Sequence, residues 1–160
     1  MTIREYYVER RKAELPVFLK VLRALPADRM NYKPHERSPS AEQIAWTLTG
    51  ELRSCLEVVR ENRAEWKTEP APPLPEMIAL FEKWSNELIE GVTAMSEENW
   101  QRPAKFYYNG QMVSEQPVEQ FLWMVHFDSI HHRGQLTAYL RPMGSKVPAI
   151  YGPSADERPS

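Results

Sequence analysis

The stretch PVEQFLWMVHFDSIHHRGQLTAYLRP (residues 117–142) decides the fold class, because it is a long amphipathic segment between two prolines. Proline lacks the N–H that a helix interior needs, so it marks helix starts and stops. Between the two prolines, apolar residues recur at the three- and four-residue spacing of one helix face. They are Val118, Phe121, Leu122, Val125, Leu136, Tyr139 and Leu140. The stretch is therefore predicted to be a helix with one buried face.

Three further segments show the same periodicity, and proline-rich stretches at 24–40 and 68–76 separate them. The first covers about residues 2–25, and Pro16 inside it predicts a kink or a late start. The second begins after Ser40, with Gln43 at the capping-box position three residues on. The third begins near Pro75 and extends to about Met95. With residues 117–142 as the fourth, the sequence predicts four helices.

The remaining segments complete the predicted architecture. Residues 105–113, KFYYNGQMV, place Asn109 and Gly110 between two β-favouring runs, which indicates a small hairpin. The tail after Gly144 has too many Pro and Gly residues for a helix. The links before the third and fourth helices are long enough for crossovers. We therefore predict one all-α domain over residues 1–160, a four-helix bundle with long crossover connections, a hairpin-like excursion before the last helix and an irregular C-terminal tail.

Composition restricts the classes of partner. The chain has 160 residues, with 20 Lys+Arg dispersed among 22 Asp+Glu and a formal net charge of -2, which disfavours the basic face that nucleic-acid binding needs. No apolar run approaches the roughly 20 residues that span a bilayer, and the N-terminus is charged where a signal peptide is apolar. The single cysteine, Cys55, suits a reducing compartment. We expect a cytoplasmic protein that binds neither nucleic acid nor a membrane.

Two polar residues stand where the apolar face of the fourth helix should continue. Asp128 and His132 are four residues apart, so their side chains project in the same direction. Left in an apolar core without partners, both groups would be strongly destabilising. Aspartate and histidine are ordinary zinc ligands, so the pair is a candidate half-site for a metal. His131, next to His132, is a candidate ligand or acid–base residue.

The second helix offers a third ligand. Glu51 falls near the centre of its apolar stripe, and Thr47 falls at the edge of that stripe. Carboxylates and histidines that converge from two helices are a common way to build a metal site in a bundle. The same spacing also fits a satisfied buried Asp128–His132 pair, with Glu51 as a boundary residue and no ligand bound.

Two stretches resemble DinB/YfiT-like proteins: HHRGQLTAYLRPMGSKVPAIYGPSADE (131–157) and IAWTLTGEL (44–52). The resemblance extends over nearly all of the chain. It implies a four-helix bundle, often dimeric, that holds a divalent metal (zinc or nickel) through one histidine on the second helix and two on the last. His132 matches the histidine before Arg-Gly-Gln. Asp128 stands at the other last-helix position, and Thr47 stands at or next to the second-helix position.

This departure from three histidines leaves three alternatives open. In the first, Asp128 and Glu51 replace the missing histidines as ligands. In the second, His131 acts together with His132 in an altered geometry. The third alternative is that this branch has lost the metal and kept the pocket.

The resemblance also implies a function. It favours a metal-dependent enzyme, a hydrolase or thiol S-transferase in stress or detoxification, acting on a small molecule or a low-molecular-weight thiol. In this interpretation His132, Asp128 and Glu51 hold the metal and His131 is catalytic. Arg133 attracts an anionic substrate group, and Gln135 and Thr47 complete the binding site. The alternative is a metal-free DinB-like module that dimerises or binds a small ligand without catalysis.

Overall fold

Five helices and one small sheet make up the regular structure of residues 1–158, the part of the chain that the computed structural model describes. The helices include 60% of the residues, so the expectation of an all-α fold is wrong in part. The elements, in chain order, are α1 (Ile3–Ala24), α2 (Ala41–Glu61), β1 (Arg63–Trp66), α3 (Leu74–Ala94), the one-turn α4 (Glu97–Gln101), β2 (Pro103–Tyr108), β3 (Gln111–Pro117) and α5 (Val118–Leu140).

The four long helices begin where local sequence signals placed them. At the start of α2, the Gln43 N–H donates to Ser40 Oγ at 3.1 Å and the Ser40 N–H donates to Gln43 Oε1 at 2.8 Å. These two bonds are the predicted capping box, and they satisfy donors that a helix start leaves free. Pro117 directly precedes α5. Pro16 lies inside a continuous α1, so a late start of that helix is wrong.

The helices are arranged so that α1 and α2 each pack against both α3 and α5. Consecutive α1 and α2 therefore lie at opposite corners of the bundle, as do α3 and α5. The predicted crossover before the last helix is confirmed. The link before α3 is not a crossover, because α2 and α3 are direct neighbours. The other crossover instead joins α1 to α2. The predicted apolar faces form the core, which includes Phe18, Leu22, Ile44, Leu48, Leu52, Met77, Phe81, Leu88, Phe121, Leu122, Leu136 and Leu140.

The hairpin belongs to a three-stranded sheet. Asn109 and Gly110 join β2 to β3 with φ angles of 49° and 74°, the positive values that a tight two-residue hairpin turn requires. The predicted hairpin is thus confirmed. In addition, β1 pairs in parallel with β2. Strand β1 was not predicted, because four residues are too few to show an alternating pattern.

The sheet packs against α2 and α5, which creates the space beside the candidate site. Trp66 of β1 lies on Gly50 of α2, where an added Cβ would be 3.0 Å from the Trp66 ring. In β3, Ser114 pairs with Phe106 and Met112 pairs with Tyr107, so that Val113 forms a bulge. Glycine at position 50 and the bulge together set how closely the sheet approaches the bundle.

The C-terminal tail is irregular, as predicted, and it packs along the bundle. Val147 and Ile150 are partly buried against the core, and Asp156 accepts hydrogen bonds from Arg141 and from the Val147 N–H. These contacts give the tail a defined path without a helix. Over residues 1–158, no helix combines the length and the apolar character that crossing a membrane would require.

Candidate metal centre

Three side chains singled out in the sequence meet between α2 and α5. Glu51, Asp128 and His132 each offer one ligand atom, and these atoms all lie within 4.8 Å of one another. His132 Nε2 is 3.5 Å from Glu51 Oε1 and 3.7 Å from Asp128 Oδ2. Zinc binds its nitrogen and oxygen ligands at about 2.0–2.2 Å, which separates neighbouring donors by roughly 3–4 Å. The spacing of the three side chains therefore fits a single metal ion.

The trio lies at the edge of the bundle core. The side chain of Asp128 is 57% exposed and that of His132 is 21% exposed. Ser129 and Arg133 instead continue the buried face of α5. The prediction that positions 128 and 132 belong to the buried stripe is therefore wrong by one residue. This offset gives the site one wall in the protein interior and one side open to small molecules.

Glu51 is the buried member of the trio. Its Oε2 accepts a hydrogen bond of 2.5 Å from Ser129 Oγ, and its Oε1 has no hydrogen-bond partner among residues 1–158. Burial raises the pKa of Glu51 well above its usual value, and the nearby Asp128 charge raises it further against the Ser129 bond. A buried oxygen without a partner is costly. A cation between Glu51, Asp128 and His132 would supply that partner.

His132 is oriented by a contact with Gln135. Its Nδ1 lies 2.8 Å from Gln135 Oε1, and an amide oxygen only accepts hydrogen bonds. This contact uses Nδ1 and leaves Nε2, which faces the two carboxylates, as the nitrogen available to a metal. Hydrogen bonding through the second ring nitrogen is the usual way in which a metal-binding histidine is oriented. The structure thus gives Gln135 a contact with His132.

The other predicted site residues differ in how close they lie to the trio. Thr47 lies beside Glu51 and lines the same cavity. His131 is exposed, and the centre of its ring is 5.4 Å from that of His132. Arg133 is not brought to the site, because it is buried in an ion pair with Glu14 of α1. It is therefore neither an anion-binding group of this cavity nor a solvated helix charge.

A second buried polar cluster joins α1 to α5, and its α1 members, Arg11 and Glu14, were not predicted as functional or buried residues. Glu14 accepts hydrogen bonds from Arg133 and from the Tyr151 hydroxyl, and Arg11 Nη1 lies 3.2 Å from His126 Nδ1. One signal was available, since Arg11 and Glu14 share a helix face with the apolar residues that α1 buries. Charged side chains on a buried face indicate internal ion pairs.

His126 should make the stability of the protein depend on pH. Burial, reinforced by the Arg11 charge, lowers the pKa of His126 from 6.5 to about 4. Between about pH 6.5 and pH 4, His126 is therefore protonated in the unfolded chain but not in the folded chain. The contribution of His126 to the free energy of unfolding falls as the pH drops through this range. In urea titrations across this range, we expect His126→Gln to flatten the pH dependence. His35→Gln, at an exposed loop position, is the control that should leave the slope intact.

A cavity of about 450 Å³ lies beside the trio, between α2, α5 and the sheet. Glu51 and Asp128 form part of its wall. The volume is within the range of about 300–1,000 Å³ that is usual for small-molecule sites. The site therefore combines a candidate ion position with room for a ligand.

Fold and site together define a helical-bundle protein with a carboxylate–histidine trio between its second and last long helices. The sequence model of the DinB family matches residues 5–159, and the chain belongs to that family. The uncharacterized protein YrdA of Bacillus subtilis is 25% identical over an alignment of 158 residues, which covers 96% of this chain and 90% of that protein.

Two solved structures share the fold. The DinB-like protein YjoA of Bacillus subtilis has a TM-score of 0.68 and 21% identity, over 88% of this chain and 93% of that one. A DinB-like protein of Bacillus cereus has a TM-score of 0.75 and 20% identity, over 92% of this chain and 97% of that one. At these identities the likeness shows the fold alone.

Proposed function

We propose that this protein is a metal-dependent enzyme of the hydrolase or thiol S-transferase type, with Glu51, Asp128 and His132 as metal ligands. The observation that carries the proposal is the buried Glu51 Oε1, which has no hydrogen-bond partner within residues 1–158 and belongs to a group of three potential ligands. A divalent ion would satisfy this oxygen and offset the two carboxylate charges. Three protein ligands leave a coordination position for water or substrate, which is typical of catalytic sites.

The residues around such an ion would have different roles. A bound divalent ion would act as a Lewis acid and lower the pKa of a water or thiol at its open position. Ser129 fixes the carboxylate of Glu51, and Gln135 keeps Nε2 of His132 free to bind. We assign Thr47 to the substrate, since it lines the cavity beside Glu51. We assign proton exchange with solvent to His131, which is exposed.

The DinB resemblance supports the reaction class and the choice of substrates. It favours a small-molecule substrate with a low-molecular-weight thiol as the second reactant, and zinc or nickel as the ion. Such a thiol is available in the reducing cytoplasm, where the free Cys55 also stays reduced. The resemblance also favours a role in stress or detoxification.

The test is reconstitution of protein purified without an affinity tag. After chelation, zinc, nickel, manganese and cobalt are added separately, and uptake is measured by elemental analysis. Nitrophenyl esters then report hydrolysis, and 1-chloro-2,4-dinitrobenzene with a thiol reports transfer. We expect one bound ion per chain and turnover that depends on it. No uptake and no change in melting temperature would instead support a metal-free binding module.

We also propose that the protein is a homodimer, as the resemblance implies. Tyr6 of α1 and Trp123 and Phe127 of α5 form a contiguous aromatic surface, in which Phe127 is 62% exposed. An exposed apolar patch of this kind is typical of an interaction surface, and two copies related by a two-fold axis would cover it.

Phe127→Glu should convert this dimer to a monomer, because it places a charge at the centre of the aromatic surface. Sedimentation equilibrium measures the change, and Glu9→Gln at an exposed position of α1 is the control. A wild-type protein that is monomeric at high concentration would contradict the proposal.

A further inference from the structure

The cavity beside the trio has a polar end and an apolar body. On α5 its lining runs from Phe121 through Val125 to Asp128, so an aromatic ring stands at one end and a carboxylate at the other. The sheet adds aromatic walls through Trp66 and Phe106. Trp66 lies on Gly50, which places a broad indole surface next to the ligand space. An aromatic wall of this kind suits ring systems, which stack favourably.

The charge of the lining excludes one class of ligand. Among the described residues, no lysine or arginine lines the cavity, and its charged groups are Glu51 and Asp128. An anionic group placed in the apolar body would lose its hydration without gaining a partner. The uncharged part of a ligand meets no such penalty.

The mouth of the cavity is apolar and exposed. Tyr108, Val113 and Met124 all line it, and the last two are 56% and 49% exposed. The bulge in β3 directs Val113 toward the cavity, whereas Met112 lines no part of it. Bulges commonly re-aim a side chain next to a functional site. Apolar side chains grouped at a cavity mouth indicate that a ligand covers them.

From these observations we propose that the cavity binds the uncharged, aromatic body of the substrate, about the size of two rings, with its reacting polar group at Glu51, Asp128 and His132. The placement of the polar group rests on the proposed function. Binding of the aromatic body does not, because it uses the apolar walls alone.

A matched pair of probes tests the aromatic body in metal-free protein. N-phenyl-1-naphthylamine is uncharged, and 8-anilino-1-naphthalenesulfonate has the same rings with an added sulfonate. We expect the uncharged probe to bind one per chain in fluorescence titrations, at least about tenfold more tightly than the sulfonate. Equal affinities, or no saturable binding, would overturn the proposal.

Two tryptophan substitutions locate the probe. Val113→Trp fills the mouth and should weaken the uncharged probe by about tenfold or more. Met112→Trp, at the adjacent exposed residue outside the cavity, should change its affinity less than about twofold. Both positions are exposed, so the variants are expected to fold, and circular dichroism checks this. Equal effects of the two substitutions would place the probe elsewhere.

Cobalt-loaded protein separates this inference from the proposed function. A naphthalene hydroxamic acid joins a metal-binding head to the aromatic body, and acetohydroxamic acid provides the head alone. We expect both to shift the visible spectrum of bound cobalt, and Val113→Trp to weaken the naphthalene compound alone. Probe binding without cobalt uptake would contradict the metal centre and leave the aromatic site. Cobalt uptake with equal hydroxamate affinities would contradict the aromatic site and leave the metal centre.

Discussion

His132→Ala is expected to abolish stoichiometric metal binding while the chain stays folded. His132 supplies the nitrogen ligand of the trio, and its Nε2 faces both carboxylates. Loss of a residue that merely orients a ligand costs about 10–100-fold in metal affinity, so loss of the ligand itself should exceed that range. Competition with a chromogenic chelator measures the affinity, and the circular dichroism of the metal-free variant shows whether the fold is intact.

Neighbouring variants distinguish the alternatives that the sequence left open. Asp128→Asn and Glu51→Gln should each weaken metal binding strongly, because both carboxylates face His132. Gln135→Leu should weaken it by about tenfold, since it frees the imidazole to adopt the wrong tautomer. His131→Ala should leave it unchanged. The opposite pattern, with His131 required and Asp128 dispensable, would mean that the two adjacent histidines bind the ion.

Local signals explain why most of the fold was predictable. Periodicity and caps determine where a helix begins and which face it buries, and Asn109 with Gly110 determines a hairpin within a few residues of sequence. The partner of β2 was not predictable, because β1 is short and lies some 40 residues earlier in the chain. The arrangement of helices was only partly predictable, since long links permit several neighbours and packing selects one.

The candidate site, like the fold, was predictable only in part. Glu51, Asp128 and His132 were selected because polar residues interrupt apolar stripes, and the fold brings them together. Arg133 was assigned to substrate binding because it directly follows His132, the predicted metal ligand, in the sequence. Three- and four-residue steps along α5 describe two adjacent faces equally well, one with Asp128 and the other with Ser129. The packing of α1 against α5 decides between them, and this contact lies more than 100 residues away in sequence.

The largest expected effect on stability comes from the ion pair that this packing creates. Arg133 and Glu14 are both buried, and Arg133 also donates to the Tyr151 hydroxyl at 2.6 Å. Arg133→Met leaves the Glu14 carboxylate with the more exposed Arg10 and the Tyr151 hydroxyl as its remaining partners, which should cost up to ~3–5 kcal/mol in the free energy of unfolding. The melting temperature should fall by roughly 10 °C. Lys20→Ala, which breaks the exposed pair with Glu157, should cost less than about 1 kcal/mol.

The pH dependence of this loss identifies its cause. Burial alone would raise the pKa of Glu14, but hydrogen bonds from Arg133 and Tyr151 outweigh it and lower the pKa below 4.5. In the wild type, the contribution of Glu14 is therefore complete above about pH 4.5 and lost as pH falls through the lowered pKa. In Arg133→Met, Glu14 keeps only its contacts with Arg10 and the Tyr151 hydroxyl, so its pKa rises relative to the wild type and the deficit narrows on acidification. Adding Glu14→Leu should recover most of the stability at neutral pH, because the buried carboxylate that lost Arg133 is then absent. A deficit that is independent of pH and persists in the double variant would mean that lost packing, rather than the unpaired charge, destabilises the protein.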